Sequence, residues 1–185
     1  SLAGQPDTIL VERRVQIHPV FRDLAVGGTP DVRIIVYRGV PVLAMLRLPT
    51  LASRGRANLH QGAVGVGIRL AEGVTTGGVL HDRSVDRAPD TGAPIAGLAV
   101  PWWRDMLRIA ARLSQAIEMA YLGIDLVLDN DSGPVVLEAN ARPGLAIQIA
   151  NRCGLRQRLE RVHAASPHAL SLEQRLHLAI SLAES

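Results

Sequence analysis

The stretch Gly123-Ile-Asp-Leu-Val-Leu-Asp129, the polar turn Asn130-Asp-Ser-Gly-Pro134, and the return Val135-Val-Leu-Glu138-Ala-Asn140-Ala-Arg142-Pro-Gly144 decide how the chain is read. The apolar run up to Asp129 has strand composition, and the turn residues reverse it into a second strand at Val135. Side chains alternate along a strand, so Glu138, Asn140 and Arg142 are expected on one side. The hairpin then brings Asp125 beside Glu138 and Asn140. Two carboxylates and an amide oxygen, with no Cys or His among them, are hard donors. Such a set suits Mg²⁺, which keeps waters and shares itself with substrate phosphates. On spacing alone, the same residues also fit a plain strand end shaped by Pro143-Gly144.

Working outward, the chain reads as strands first and helices after. Thr8 to Ile17 has strand character, and Pro19 to Pro30 is a connector with a turn at Gly27-Gly28. Val32 to Tyr37 and Val40 to Leu48 read as a hairpin turning at Arg38-Gly39. Asp31 and Arg33 share a face of its first strand, and Arg47 ends its second. Pro49 to Gln61 is a flexible cationic loop carrying Ser53, Arg54, Arg56 and Asn58. Ala63 to Arg69 and Thr75 to Leu80 follow as strands, the first rich in glycine and packed under that loop. His81 to Pro94 reads as a surface excursion.

A helix is expected from near Pro101, with Met106, Ala110, Leu113, Ile117 and Ala120 as its apolar face and Trp102 and Trp103 as packing anchors. Leu145 to Cys153 is expected as a short helix whose first amides favour anions near the metal hairpin. Leu155 to His163 and Leu170 to Ala183 complete the helices. His163, His168 and His177 lack metal-ligand spacing.

Glu138-Ala-Asn140-Ala-Arg142-Pro-Gly144 with the upstream Asp125 resembles the metal-binding end of ATP-grasp ligases. Pro30-Asp-Val-Arg33 resembles the Asp-x-Arg strand of that family. Ala44-Met-Leu-Arg47 with Arg56-Ala-Asn58-Leu-His-Gln-Gly62 is similar to its second arginine and substrate loop. Order and spacing are most similar to the alpha-L-glutamate ligase-like, RimK-related proteins grouped with the sugar-transfer-associated ATP-grasp proteins. The resemblance runs from about Ser1 to Leu159.

It implies an α+β fold across residues 1–185: one domain, the C-terminal portion of an ATP-grasp fold, with a largely antiparallel sheet packed with helices. It implies ATP and two Mg²⁺ ions, with Mn²⁺ as a substitute. Glu138 would bridge the ions, and Asp125 and Asn140 would each hold one. Arg33 and Arg47 would bind the γ-phosphate or an acyl phosphate, and Asn58 would orient the latter. Asp31 would contact ribose, and the segment around Glu12 would face adenine; read alone, Glu12 is an exposed strand residue. Arg142 and Gln148 are weaker candidates for the acceptor amine or its carboxylate.

The implied activity is ATP-dependent joining of a small-molecule or peptide carboxylate to an amine, with glutamate or a peptide as substrate. A non-catalytic nucleotide-binding or scaffold domain of the same fold is the alternative. All 20 basic residues are arginine, so the lysines that hold phosphates in that family are absent. The stretch is therefore expected to be a piece of a longer ligase, and to be inactive alone.

Composition sets the remaining bounds. The balance of 20 basic against 17 acidic residues gives a net charge of +3, mild enough to steer anions without implying nucleic acid. Aromatic residues are only 3% of the chain, too few for a base-stacking platform. No run of eighteen apolar residues marks a membrane span. There is no leader pattern, and the single Cys153 fits a reducing compartment, so a cytoplasmic protein is expected. A homo-oligomer is compatible with these features.

Overall fold

The computed structural model describes residues 11–183. Its centre is a seven-stranded antiparallel sheet in the order β5-β4-β3-β2-β1-β6-β7. The strands are β1 (Asp31–Tyr37), β2 (Val40–Leu48), β3 (Val64–Arg69), β4 (Val74–Leu80), β5 (Arg83–Val85), β6 (Tyr121–Asp129) and β7 (Gly133–Asn140). Four helices join it: α1 (Trp103–Ile117), α2 (Ala146–Asn151), α3 (Leu155–Ala164) and α4 (Leu172–Ala183). An antiparallel sheet packed with helices makes the architecture α+β.

β2 lies mid-sheet and is buried along nearly its whole length, apart from half-buried Arg47. That explains its continuous apolar run in place of strict alternation: both its faces are covered. The β1–β2 turn falls on Arg38 and Gly39, both at positive φ (50° and 78°). This two-residue turn matches the twist of the flanking strands. Pro41 follows opposite Val36 at a register shift, the kind of place where a strand tolerates proline.

β3 carries its glycines for a packing reason. A Cβ on Gly67 would stand 2.6 Å from the Ala150 carbonyl oxygen of α2, and one on Gly65 would stand 2.7 Å from the Leu59 side chain. At Gly67 the helix backbone therefore leaves no room for a larger residue, whereas at Gly65 the Leu59 side chain would have to turn aside.

Several expectations are corrected. Thr8 to Leu10 lie outside the described residues, and Val11 to Gln16 form no strand. The segment meets the sheet through an isolated bridge of Ile17 with Asp129, bonds from Gln16 and His18 to the β6–β7 region, and the Arg13 guanidinium on Asp129 and Ser132. The excursion after Leu80 contains β5, a short edge strand pairing with β4.

α1 buries Trp103, Met106, Leu107, Ala110, Ala111 and Ser114. Its inward stripe is thus turned from the expected one: Ile117 is 38% exposed, and Ala120 lies beyond the helix. Trp103 is an anchor, nearly buried and donating from its indole to the Leu70 carbonyl (2.8 Å), whereas Trp102 is 45% exposed. The Pro49–Gln61 loop is pinned from within. Buried Thr50 and Ser53 bond to each other, and the Thr50 hydroxyl donates to the Gly62 carbonyl. No helix among the described residues is long and apolar enough to cross a membrane.

Candidate active site

Strand pairing assembles a row of charges across four adjacent strands. Asp31 faces Arg47 between β1 and β2, Arg33 faces Asp125 between β1 and β6, and Asp125 faces Glu138 between β6 and β7. The last pairing depends on a bulge. Counting back from Asp129 opposite Gly133 would set Asp125 opposite Leu137 and leave Glu138 on the other face. A register shift between Asp125 and Leu126 leaves Leu137 as the extra residue and turns Glu138 onto the Asp125 face.

The side chains interlock. Arg33 donates from Nε and Nη2 to the two oxygens of Asp125, at 2.7 and 2.5 Å. Arg47 donates to both oxygens of Asp31, at 2.6 and 2.8 Å, and from Nη2 to Asp125 at 2.7 Å. Asn140 donates to Glu138 at 2.7 Å, and Glu138 stands 3.8 Å from Arg33. Asp125 is wholly buried, while the Glu138 side chain is 58% exposed and faces the opening.

Two buried acids respond in opposite directions. Burial pushes the Asp125 carboxyl up, but the Arg33 hydrogen bond and the charges of Arg47 and Arg33 outweigh it and hold it below the ordinary carboxylate range. For Asp31 burial prevails over the bonds and charge of Arg47 and, with the negative charge of nearby Asp125 adding to it, raises it to about 6. Burial alone would lower Arg47; its bonds to Asp31 prevail and raise it.

Arg33, Arg47, Asn58, Glu138, Asn140 and Arg142 line one cleft of about 310 Å³. It thus gathers every expected site residue except Glu12, Asp31, Asp125 and Gln148. Asp125 lies beneath it, bonded to both arginines. Asp31 lies under Arg47 with both oxygens engaged, off the cleft wall. Glu12 is exposed on the segment outside the sheet. The Gln148 amide oxygen accepts the Leu155 N–H, and the residue lines a neighbouring cavity. The Asn58 oxygen accepts the His60 N–H, capping a short 3-10 turn at Leu59–Gln61.

His60 lines the cleft as well, and sequence reasoning missed it. The available signal was Asn58 two residues earlier, a capping residue that fixes the turn.

Among the described residues no three His, Cys, Asp or Glu side chains converge as a metal site. The candidate set is two carboxylates and one amide, and its all-oxygen chemistry fits Mg²⁺. Asp125 and Glu138 supply the negative charge, and Glu138 is the accessible one. Binding a cation at Asp125 requires its arginines to take other anionic partners.

The sequence matches the family described as "Sugar-transfer associated ATP-grasp" over residues 1–164, and the chain belongs to that family. Among curated proteins no match is found. Among solved structures the chain is similar to one titled "Structure of ATP-grasp ligase PsnB complexed with minimal precursor", at 13% identity and a TM-score of 0.41. The match covers 76% of this chain and 35% of that one, so the chain spans about a third of that relative.

Proposed function

We propose that the protein is an ATP-dependent carboxylate–amine ligase that works through an acyl phosphate. The observation that carries this reading is the meeting of Arg33, Arg47, Asn58, Glu138 and Asn140 on one cleft, with Asp125 directly beneath. A carboxylate resists attack by an amine because oxide is a poor leaving group. Transfer of the γ-phosphoryl group of ATP to a carboxylate oxygen releases ADP and leaves an acyl phosphate. The amine then attacks the carbonyl carbon, the C–N bond forms, and phosphate departs with the C–O electron pair. The amine's spare proton goes to solvent.

Little covalent work falls to the protein, which must position reactants and offset charge. Arg33 and Arg47 bind the transferred phosphoryl group and the oxyanion at the carbonyl, since a planar guanidinium matches two oxygens at once. Asp31 acts as a positioning residue that keeps Arg47 extended. Asn58 orients the acyl phosphate. Glu138, Asn140 and Asp125 would hold Mg²⁺, which when bound offsets charge on the β- and γ-phosphates.

The test uses the full-length protein with ATP, Mg²⁺ and a panel of acids and amines that includes L-glutamate, following ADP and phosphate. Substrate-dependent ADP release that disappears in Glu138→Ala supports the ligase. Tight ATP binding without release for any pair supports a nucleotide-binding or scaffold domain instead. Absence of ATP binding overturns the nucleotide site itself.

A further inference from the structure

A second cavity, of about 640 Å³, opens beside the cleft and shares Leu59, His60 and Ala146 with it. Of its lining, the ligase reading gives a part only to Gln148, as a candidate for the acceptor amine or its carboxylate. Its walls are largely aliphatic, with Leu59, Val79, Leu145 and Ile149 among them, and no arginine contributes. Leu145 and Ile149 are 61% and 49% exposed, an unusual state for two large apolar residues so near each other. The polar lining comes from His60, His81, Asp82 and Gln148, and the Gln148 oxygen is already engaged by Leu155.

The turn that carries His81 and Asp82 points to a role for them. Leu80 pairs with Arg83, so these two residues alone connect β4 to β5. Both hold positive φ, 46° and 61°. A two-residue turn with both central residues in that region is most stable as Asn-Gly. His and Asp enter that region more readily than most residues, and holding it at a cavity rim makes the pair candidates for a binding role. Asp82 has no cationic partner among the described residues, and its negative charge disfavours an anionic guest.

Resting on the ligase reading, we infer that this cavity holds the amine substrate, that the amine bears an apolar body and no second carboxylate, and that His81 and Asp82 select it. A glutamate side chain would meet aliphatic walls and Asp82, with no guanidinium to receive it. An amine with a leucine- or phenylalanine-sized body has ample room against these aliphatic walls and would pass its nitrogen toward the arginines of the cleft.

The test has two arms on the full-length protein. In the first, L-leucinamide, L-phenylalaninamide and L-glutamate are compared as amines in ADP release over an acid panel. The amides should exceed glutamate by about tenfold or more in kcat/KM, the scale of a few apolar contacts. The double variant His81→Asn/Asp82→Gly should raise KM for the amides while raising the melting temperature, because it relaxes the turn. A purely structural turn would give the second change without the first.

In the second arm, ¹³C-labelled histidine resonances are followed while L-phenylalaninamide or L-glutamate is added without ATP. The His60 and His81 signals should move with the amide alone. Such movement without ADP release for any pair keeps the cavity assignment and overturns the ligase. ADP release with unmoved imidazoles, or with an unchanged KM in the double variant, overturns the cavity assignment and keeps the ligase. Preference for glutamate also overturns it.

Discussion

Replacing Asp125 by Asn keeps the shape of the side chain and removes the charge on which Arg33 and Arg47 converge. Asp125 is 0% exposed and accepts three bonds from the two guanidiniums, whose side chains are each 12% exposed. Each bond to a charged group contributes about 1.5–3 kcal/mol, and bonds sharing one acceptor do not add. Breaking a buried ion pair by removing one partner costs about 3–5 kcal/mol.

The lower end applies here. Arg47 keeps Asp31, Arg33 keeps Glu138 at 3.8 Å, and both arginines border an open cleft. A loss of about 3 kcal/mol lowers the melting temperature of a domain this size by roughly 6–12 °C. Scanning calorimetry of wild type and Asp125→Asn at pH 7.5, in low and high salt, measures it. The shift should survive 1 M salt, because screening acts weakly on buried charges. A shift under about 1 °C, or one abolished by salt, would refute the reasoning that Asp125 holds the two arginines in place.

Two further tests address the acid under Arg47 and the bulge. The Asp31 carboxyl titrates near 6 in the folded protein against 3.8 as its ordinary value, so the folded state binds its proton more tightly. Its contribution to stability is therefore present below about pH 4 and lost as pH rises through about 6, on the order of 3 kcal/mol. Turnover should rise over the same interval as the Asp31–Arg47 pair forms, and Asp31→Asn should flatten both trends in urea unfolding and in the rate profile; parallel trends in the variant would sink the assignment.

Deleting Leu137 removes the extra residue and leaves Glu138 opposite Asp125, so ADP release should persist. Deleting Ala139 sends Asn140 to the other face and should abolish release while circular dichroism stays native. Equal activity of the two deletions would show that the bulge does not set the site.

The hairpins were legible because their turns are written in local chemistry. Arg38-Gly39 and Asn130-Asp131-Ser132-Gly133 can do little except reverse the chain, and the intervening runs are long and apolar. Three features were not. β5 has only three residues, set among turn formers, and pairs for reasons of tertiary contact. The α1 stripe was misplaced because Leu107, Ala111 and Ser114 fill the inward face beside Met106 and Ala110, a choice set by what the helix packs on. The grip of Arg33 and Arg47 on Asp125 joins β2, β1 and β6, and follows only from cross-strand register. The bulge at Leu137 lay between these cases. Placing Asp125 and Glu138 together across a three-residue turn requires one inserted residue, which counting along the hairpin would have exposed.

The charge pairing in the cleft bears on how a chain without lysine could handle phosphate. Its cleft pairs charges internally: Arg33 with Asp125, and Arg47 with Asp31 and Asp125. On the proposed reading, a magnesium nucleotide brings the complement of both halves. Its phosphates can replace Asp125 as partner of the guanidiniums, and its cation can replace the guanidiniums as partner of Asp125. Each buried charge then passes from one counter-charge to another and is never left bare, the condition under which burial is most costly. Arginine suits such an exchange better than lysine, because one planar fork accommodates carboxylate and phosphate oxygens alike. Asp31 fits the scheme as the fixed point. It engages Arg47 through Nε and Nη2, while Arg33 has no second buried carboxylate behind it. Arg33 should therefore be the more mobile of the two on nucleotide binding, and Arg47 the one that keeps its place.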